Sequence, residues 1–148
     1  MDLVKCAICS FGVTSNAEKI LYNKIMKYNQ DNPNGRVQIH SHSGGAFPTK
    51  NALYKFPREL QQKINYVSIA PGILIPKEIC KTTIQCAFPN DIVPILACLR
   101  NPSLRDNITY INSIDNSFSN SHAYNTPEFQ RISWREINYF KTSLGNPQ

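Results

Sequence analysis

No stretch of the chain approaches the run of about 20 apolar residues that a membrane-crossing helix needs, so integral membrane association is not expected. Charged residues make up only 18% of the sequence, and its 16 lysines and arginines stand singly rather than in runs. The net charge of +6 therefore describes a mildly basic surface. No basic run alternates with aromatics as a single-strand binding groove would require, and nucleic acid is not an expected partner. The five cysteines are an odd number without a repeated framework, which suits reduced thiols and a cytoplasmic setting better than a disulfide-stapled secreted fold. The Leu3 to Cys9 segment is too short and too interrupted for a signal-peptide core, and Asp2 stands where a basic flank belongs; export by an unconventional route stays open. Histidine is scarce too, with His40, His42 and His122 the whole supply, so any imidazole chemistry has few places to sit.

What the chain does have is 41% hydrophobic residues in 148, enough for one compact core and too few residues for two ordinary domains. A single domain over 1–148 is expected. The apolar run Leu3 to Ile8 reads as a buried strand. Ser15-Asn16-Ala17-Glu18 has capping-box spacing, in which the Ser15 hydroxyl accepts from the Glu18 amide while the Glu18 carboxylate reaches back. The helix it opens places Ala17, Ile20, Leu21, Ile25 and Tyr28 at helical spacing, and Pro33-Asn34-Gly35 stops it. Arg36 to His42 follows as a strand, with Val37, Ile39 and Ser41 on one face and Gln38, His40 and His42 on the other.

After it come a glycine turn, a helix from Pro48 to Phe56, and a second helical piece from Arg58 to Ile64. Further strands are expected over Tyr66 to Ala70, Thr83 to Phe88 and Ile108 to Ile114, with a brief helix at Pro76 to Cys80, a short buried helix at Ile92 to Arg100, and a C-terminal helix opened by Pro127. Continuous apolar strands separated by helices imply an α/β fold: a mainly parallel sheet of about five strands flanked by helices.

The residues that draw chemical interest are Ser41-His42-Ser43-Gly44-Gly45, placed between an expected strand and an expected helix. A serine becomes a nucleophile when a base can take its proton and backbone amides await the oxyanion. A strand-to-helix elbow supplies the exposure and the amides, and its tightness demands small residues two places before and after the nucleophile, the usual pattern being G-x-S-x-G. Here the second glycine is present and the first is replaced by serine; the Gly44 amide falls where an oxyanion donor belongs. The plain alternative is a glycine turn ending a strand. Cys6 and Cys9 share a C-x-x-C spacing, but on a strand they point to opposite faces and read as buried thiols. His40 and His42 share a face and could hold a metal, yet no third ligand lies near in sequence, so neither metal nor other cofactor is expected.

At the elbow the chain resembles the α/β-hydrolase superfamily, whose triad runs serine, acid, histidine in chain order. It also resembles an uncharacterised chlamydial family of α/β-hydrolase-like proteins, through the elbow with Lys50-Asn51-Ala52-Leu53, the strand end Ile69-Ala70-Pro71, and the loop Asn90-Asp91-Ile92-Val93-Pro94. The resemblance implies a minimal α/β-hydrolase-like core and a serine hydrolase acting on a small acyl substrate, an ester or thioester. Ser43 would be its nucleophile and Asp91, after a strand, its acid. His122, in the loop after the last strand, would be its base. Asp91 has the alternative role of capping the next helix, and Asp115 is a second candidate to orient His122. The resemblance also implies a second oxyanion donor after an early strand, for which Phe11 or Gly12 is the candidate. Three departures support a rival reading, an inactive interaction protein: Ser41 replaces the first elbow glycine, Asn116 stands in Asp115-Asn116-Ser117-Phe118 where the family carries an Asp-His pair, and only one strand fits before the elbow. The short N-terminal half would leave the elbow strand near a sheet edge and invite a homodimer.

Overall fold

The computed structural model of the protein describes residues 15–112, 122–123 and 125–144. The strand expected over Leu3 to Ile8, the Cys6 and Cys9 pair, Phe11, Gly12, Asp115 and Asn116 lie outside the described residues.

Helix α1 (Asn16–Asp31) opens at Ser15, whose hydroxyl accepts the Glu18 amide at 3.1 Å. Only this half of the capping box matches the expectation. The Glu18 carboxylate is buried and turns to the next helix instead, accepting from Asn51 at 3.2 Å and from Lys55 at 2.5 Å. The inward stripe of α1 is also displaced from the one expected. Leu21, Tyr22, Ile25 and Met26 pack into the core, whereas Ile20 and Tyr28 are exposed.

Strand β1 (Val37–His42) leads through a 3-10 turn (Ser43–Gly45) into α2 (Ala46–Lys55). The helix begins before Pro48, which its first turn accepts because an amide there has no intrahelical acceptor to lose. A single turn, α3 (Arg58–Gln61), is followed at once by β2 (Ile64–Ile69). The second helical piece is thus shorter than expected: Ile64 and every residue after it to Ile69 are buried, as a central strand requires. Strand β3 (Thr82–Ala87), helix α4 (Ile92–Arg100), the two-residue strand β4 (Thr109–Tyr110) and helix α5 (Pro127–Leu144) complete the described elements, with short 3-10 turns at Lys77–Ile79 and Pro102–Asn107.

The strands form one sheet in the order β1-β2-β3-β4, every pairing parallel, with Val37 opposite Ile64 and His42 opposite Ile69. The described residues thus carry a four-stranded sheet rather than one of about five. The last strand is short because only Thr109 and Tyr110 pair with Cys86 and Ala87.

Alternation along the strands divides the core. Ile39, Ile64 and Tyr66 face α1 and α2, while Val67, Ile69, Cys86 and Phe88 meet Phe129 and Ile132 of α5. Ala87 packs with Leu74, Ile108 and the Ala97 and Cys98 side of α4. That helix is buried on one side only, through Pro94, Ala97 and Cys98 at helical spacing, and the expectation of a buried helix fails for Ile92, Leu96 and Leu99, which are 49%, 50% and 70% exposed. Cys80, Cys86 and Cys98 are free, buried thiols, and burial pushes Cys80 and Cys86 up to about 11. No helix among the described residues is long and apolar enough to cross a membrane.

Candidate active site at the strand ends

In a parallel sheet the loops beyond the carboxyl ends of the strands converge on one edge, which is where such folds place ligands. Strand β1 reaches that edge at His42, and the next residue, Ser43, adopts φ 52°. A left-handed conformation in a residue with a Cβ costs about 1–2 kcal/mol, so neighbouring contacts must enforce it. The Ser43 carbonyl accepts the Gly72 amide at 3.0 Å, and the Ala46 amide also points at it. Gly72 presses so closely that a Cβ there would lie 3.0 Å from the Phe47 ring and 3.1 Å from the Ser43 carbonyl oxygen.

The small-residue rule of the elbow takes a specific form in this chain. A Cβ on Gly45 would meet only the Ser41 Cβ, at 3.9 Å, an ordinary contact. Serine in the place of the first glycine is therefore accommodated, and it has work of its own. The buried Ser41 hydroxyl lies 2.7 Å from the Tyr66 hydroxyl and 2.9 Å from that of Ser68. Burial pushes the Tyr66 phenol up to about 12, so this small network under the elbow is neutral. Nothing in the sequence pattern signals it, because its members come from two strands.

The three side chains named from chain order lie in one hydrogen-bonded row. Ser43 Oγ is 2.7 Å from His122 Nε2. On the far side of the ring, His122 Nδ1 is 2.8 Å from Asp91 Oδ2 and 3.0 Å from Oδ1. A carboxylate can only accept, so Nδ1 carries the hydrogen and Nε2 is left to accept from the serine hydroxyl. The Asp91 side chain is fully buried, whereas His122, 34% exposed, and Ser43 are both half-buried. Asp91 also caps α4, its Oδ1 accepting the Val93 amide at 3.0 Å. The N-cap role expected for Asp91 does not exclude contact with the imidazole, and one carboxylate makes both sets of hydrogen bonds.

Two histidines adjoin this row. His42, too close to Ser43 along the strand to act as its base, contacts His122 by another route: its Nε2 lies 2.8 Å from the His122 carbonyl oxygen, and the two rings are 5.1 Å apart. Burial lowers the His42 pKa; its hydrogen bond to the His122 backbone raises it, the His122 charge lowers it and the Asp91 charge raises it by less. His40, two residues back on the same face, has both ring nitrogens buried without a hydrogen-bond partner. Burial also lowers the His40 pKa, with Glu136 pulling the other way. No group of three metal-binding side chains occurs among the described residues.

Gly44 is buried directly after Ser43 at the start of the turn. An arrangement of this kind can pass a serine proton to an imidazole whose charged form a carboxylate stabilises. Sequence reasoning weighed His42 as a metal ligand and missed its bond to His122, the contact of Gly72 with Ser43 and the Ser41 network; the one available signal was that a residue directly before a nucleophile shares its surroundings. Comparison with known proteins gives no match to this chain from any family model, curated sequence or solved structure.

Proposed function

We propose that the protein is a serine hydrolase with an α/β-hydrolase-like core, cleaving an ester or thioester through an acyl-enzyme on Ser43. His122 Nε2 removes the hydroxyl proton as Ser43 Oγ attacks the carbonyl carbon, and the resulting imidazolium is stabilised by Asp91. The tetrahedral intermediate collapses as His122 returns that proton to the departing alcohol or thiol. Water, deprotonated by the same nitrogen, then attacks the acyl-enzyme, releases the acid and restores the serine. The Gly44 amide is the candidate donor to the oxyanion, and the chemistry draws on no cofactor.

One observation carries this reading: the row from Asp91 through His122 to Ser43, with hydrogen-bond lengths of 2.7 to 3.0 Å, ends on a serine in a left-handed conformation at a strand-to-helix turn. A strained nucleophile presented to an oriented base is costly to maintain by packing alone. The rival reading, a non-catalytic interaction scaffold, drew on Ser41, Asn116 and the short N-terminal half. The hydrogen bonds of His122 to both Ser43 and Asp91 support activity over it. A fluorophosphonate probe should label the intact protein at Ser43, and labelling should vanish in Ser43→Ala. A folded protein that stays unlabelled would remove the hydrolase reading.

A further inference from the structure

We infer that His42 is a positioning residue for the base: its ring N–H, donated to the His122 main-chain carbonyl, holds the His122 backbone at the distance from which its side chain reaches Ser43. The inference rests on the hydrolase reading and concerns what keeps that site assembled.

The direction of the bond follows from chemistry. A carbonyl oxygen cannot donate, so across the 2.8 Å separation His42 Nε2 must carry the hydrogen. His42 therefore carries a hydrogen on Nε2 and His122 one on Nδ1, so the two neighbouring rings donate through opposite nitrogens. Each is fixed by its own partner, one by a carbonyl and the other by a carboxylate.

The need for such an anchor follows from chain connectivity. Ser43 is braced at the end of β1 through Gly72 and Ala46, and Asp91 at the start of α4 through Val93. His122 belongs to no helix or strand. Its side chain makes two of its contacts with the row, but those contacts align the ring only if the backbone already stands in the right place. The bond from His42 reaches across 80 residues of sequence and ties that backbone to the residue directly before the nucleophile. Base and nucleophile are thereby referred to the same strand end.

Charge sharpens the argument. Among the described residues, His122 and Asp91 are titratable groups that face His42, and Glu136 of α5 faces His40 further down the same face. With ring centroids 5.1 Å apart, a charge on His42 would oppose the charge that His122 must take up during reaction. A neutral His42 suits this role, and burial shifts its equilibrium toward that form.

The test has two parts. The rate of fluorophosphonate labelling at Ser43 is measured against pH in the wild type, His42→Ala and His42→Gln, with folding of each checked by thermal denaturation. Alanine removes the donor, whereas glutamine places an amide N–H near the position of Nε2 and cannot ionise. About a tenfold or greater loss is expected in His42→Ala, with recovery to within about threefold in His42→Gln, as expected for one hydrogen bond that orients a reacting group. The acid limb in His42→Gln should keep the wild-type shape, as expected if the bond is made by a neutral side chain in both. Wild-type labelling in His42→Ala, or a glutamine variant as slow as the alanine one at equal stability, would overturn the inference.

The second part needs no variant. Nitrogen-15 spectra of the histidine rings at neutral pH should show His42 with its hydrogen on Nε2, and a hydrogen on Nδ1 would overturn the inference even if a variant fails to fold. Failure of the wild type to label, by contrast, would count against the hydrolase reading alone, since the tautomer still reports on the His42 bond.

Discussion

Two neighbouring strands leave the sheet by the same unusual step. His42 and Ile69 are the last paired residues of β1 and β2, and the residues that follow them, Ser43 and Ala70, are the two described non-glycine residues with positive φ, at 52° and 47°. The backbones match and the side chains do not. Ser43 carries a hydroxyl into the row with His122 and Asp91, with a histidine before it that bonds to the same loop. Ala70 is fully buried, follows an isoleucine, and leads through Pro71 to Gly72, whose amide braces the Ser43 carbonyl. Left-handed backbone alone therefore does not mark a reacting group. One exit presents a side chain and the other supports the first, and the difference lies in what their side chains can accept or donate.

The comparison can be broken most severely at the carboxylate. Asp91→Asn removes the charge that fixes the His122 tautomer, and labelling of Ser43 should fall by about 10³–10⁴-fold while Ala70 and its loop are untouched. Stopped-flow or gel-based labelling at saturating probe would show it, and a loss below tenfold would mean that Asp91 is only a helix cap.

A change on the supporting exit should have the next largest effect. Gly72→Ala forces a Cβ against Phe47 and the Ser43 carbonyl. Overpacking of this kind costs about 1–3 kcal/mol, and labelling should slow by about tenfold as the elbow shifts. Denaturant melts and labelling rates measured on the same preparation would separate the two effects.

Acidification should distinguish the exits next, because the residue before Ser43 is a histidine and the residue before Ala70 is not. Burial lowers both His42 and His40 below the ordinary 6.5, so the unfolded chain binds protons at a higher pH than the folded one. Their contribution leaves stability intact above 6.5 and diminishes it as pH falls from 6.5 through the lowered values. Urea midpoints across that range, compared with those of a His40→Gln, His42→Gln double variant, should show the slope flattened when the imidazoles are gone.

Ala70→Gly should produce the smallest change. Relief of the left-handed cost and the added freedom of the unfolded chain nearly cancel, leaving a shift within about 1 kcal/mol and unchanged labelling. Gly45→Ala, meeting only Ser41 at 3.9 Å, should be as quiet.

Much of the fold was legible where a local signal and its tertiary consequence agree. Helix α4 runs over Ile92–Arg100 as its cap and period require, and Ser15 opens α1. Legibility ended where a side chain had a remote partner to choose. The Glu18 carboxylate leaves its own cap for Lys55 and Asn51, two residues of another helix that no local rule names. Ile92, Leu96 and Leu99 have the apolar character of core residues, but Pro94, Ala97 and Cys98 turn the opposite face of the helix to the sheet. In the site, Ser43, Asp91 and His122 were named from the triad order that the α/β-hydrolase resemblance implies, each following an expected strand, and the three side chains lie in a row with hydrogen-bond distances between neighbours. The hydrogen bond from His42 could not be read that way, because it depends on which way one loop carbonyl faces.

The double use of Asp91 makes it a single point of failure for two properties usually kept apart. Its Oδ1 stops the fraying of α4 while both of its oxygens orient the base. Asparagine would keep the cap and lose the charge, whereas Asp91→Ala loses both, weakening the start of α4 by about 0.5–2 kcal/mol. If the proposed chemistry holds, the alanine variant is therefore both silent and more readily opened at that helix, while the asparagine variant is silent alone.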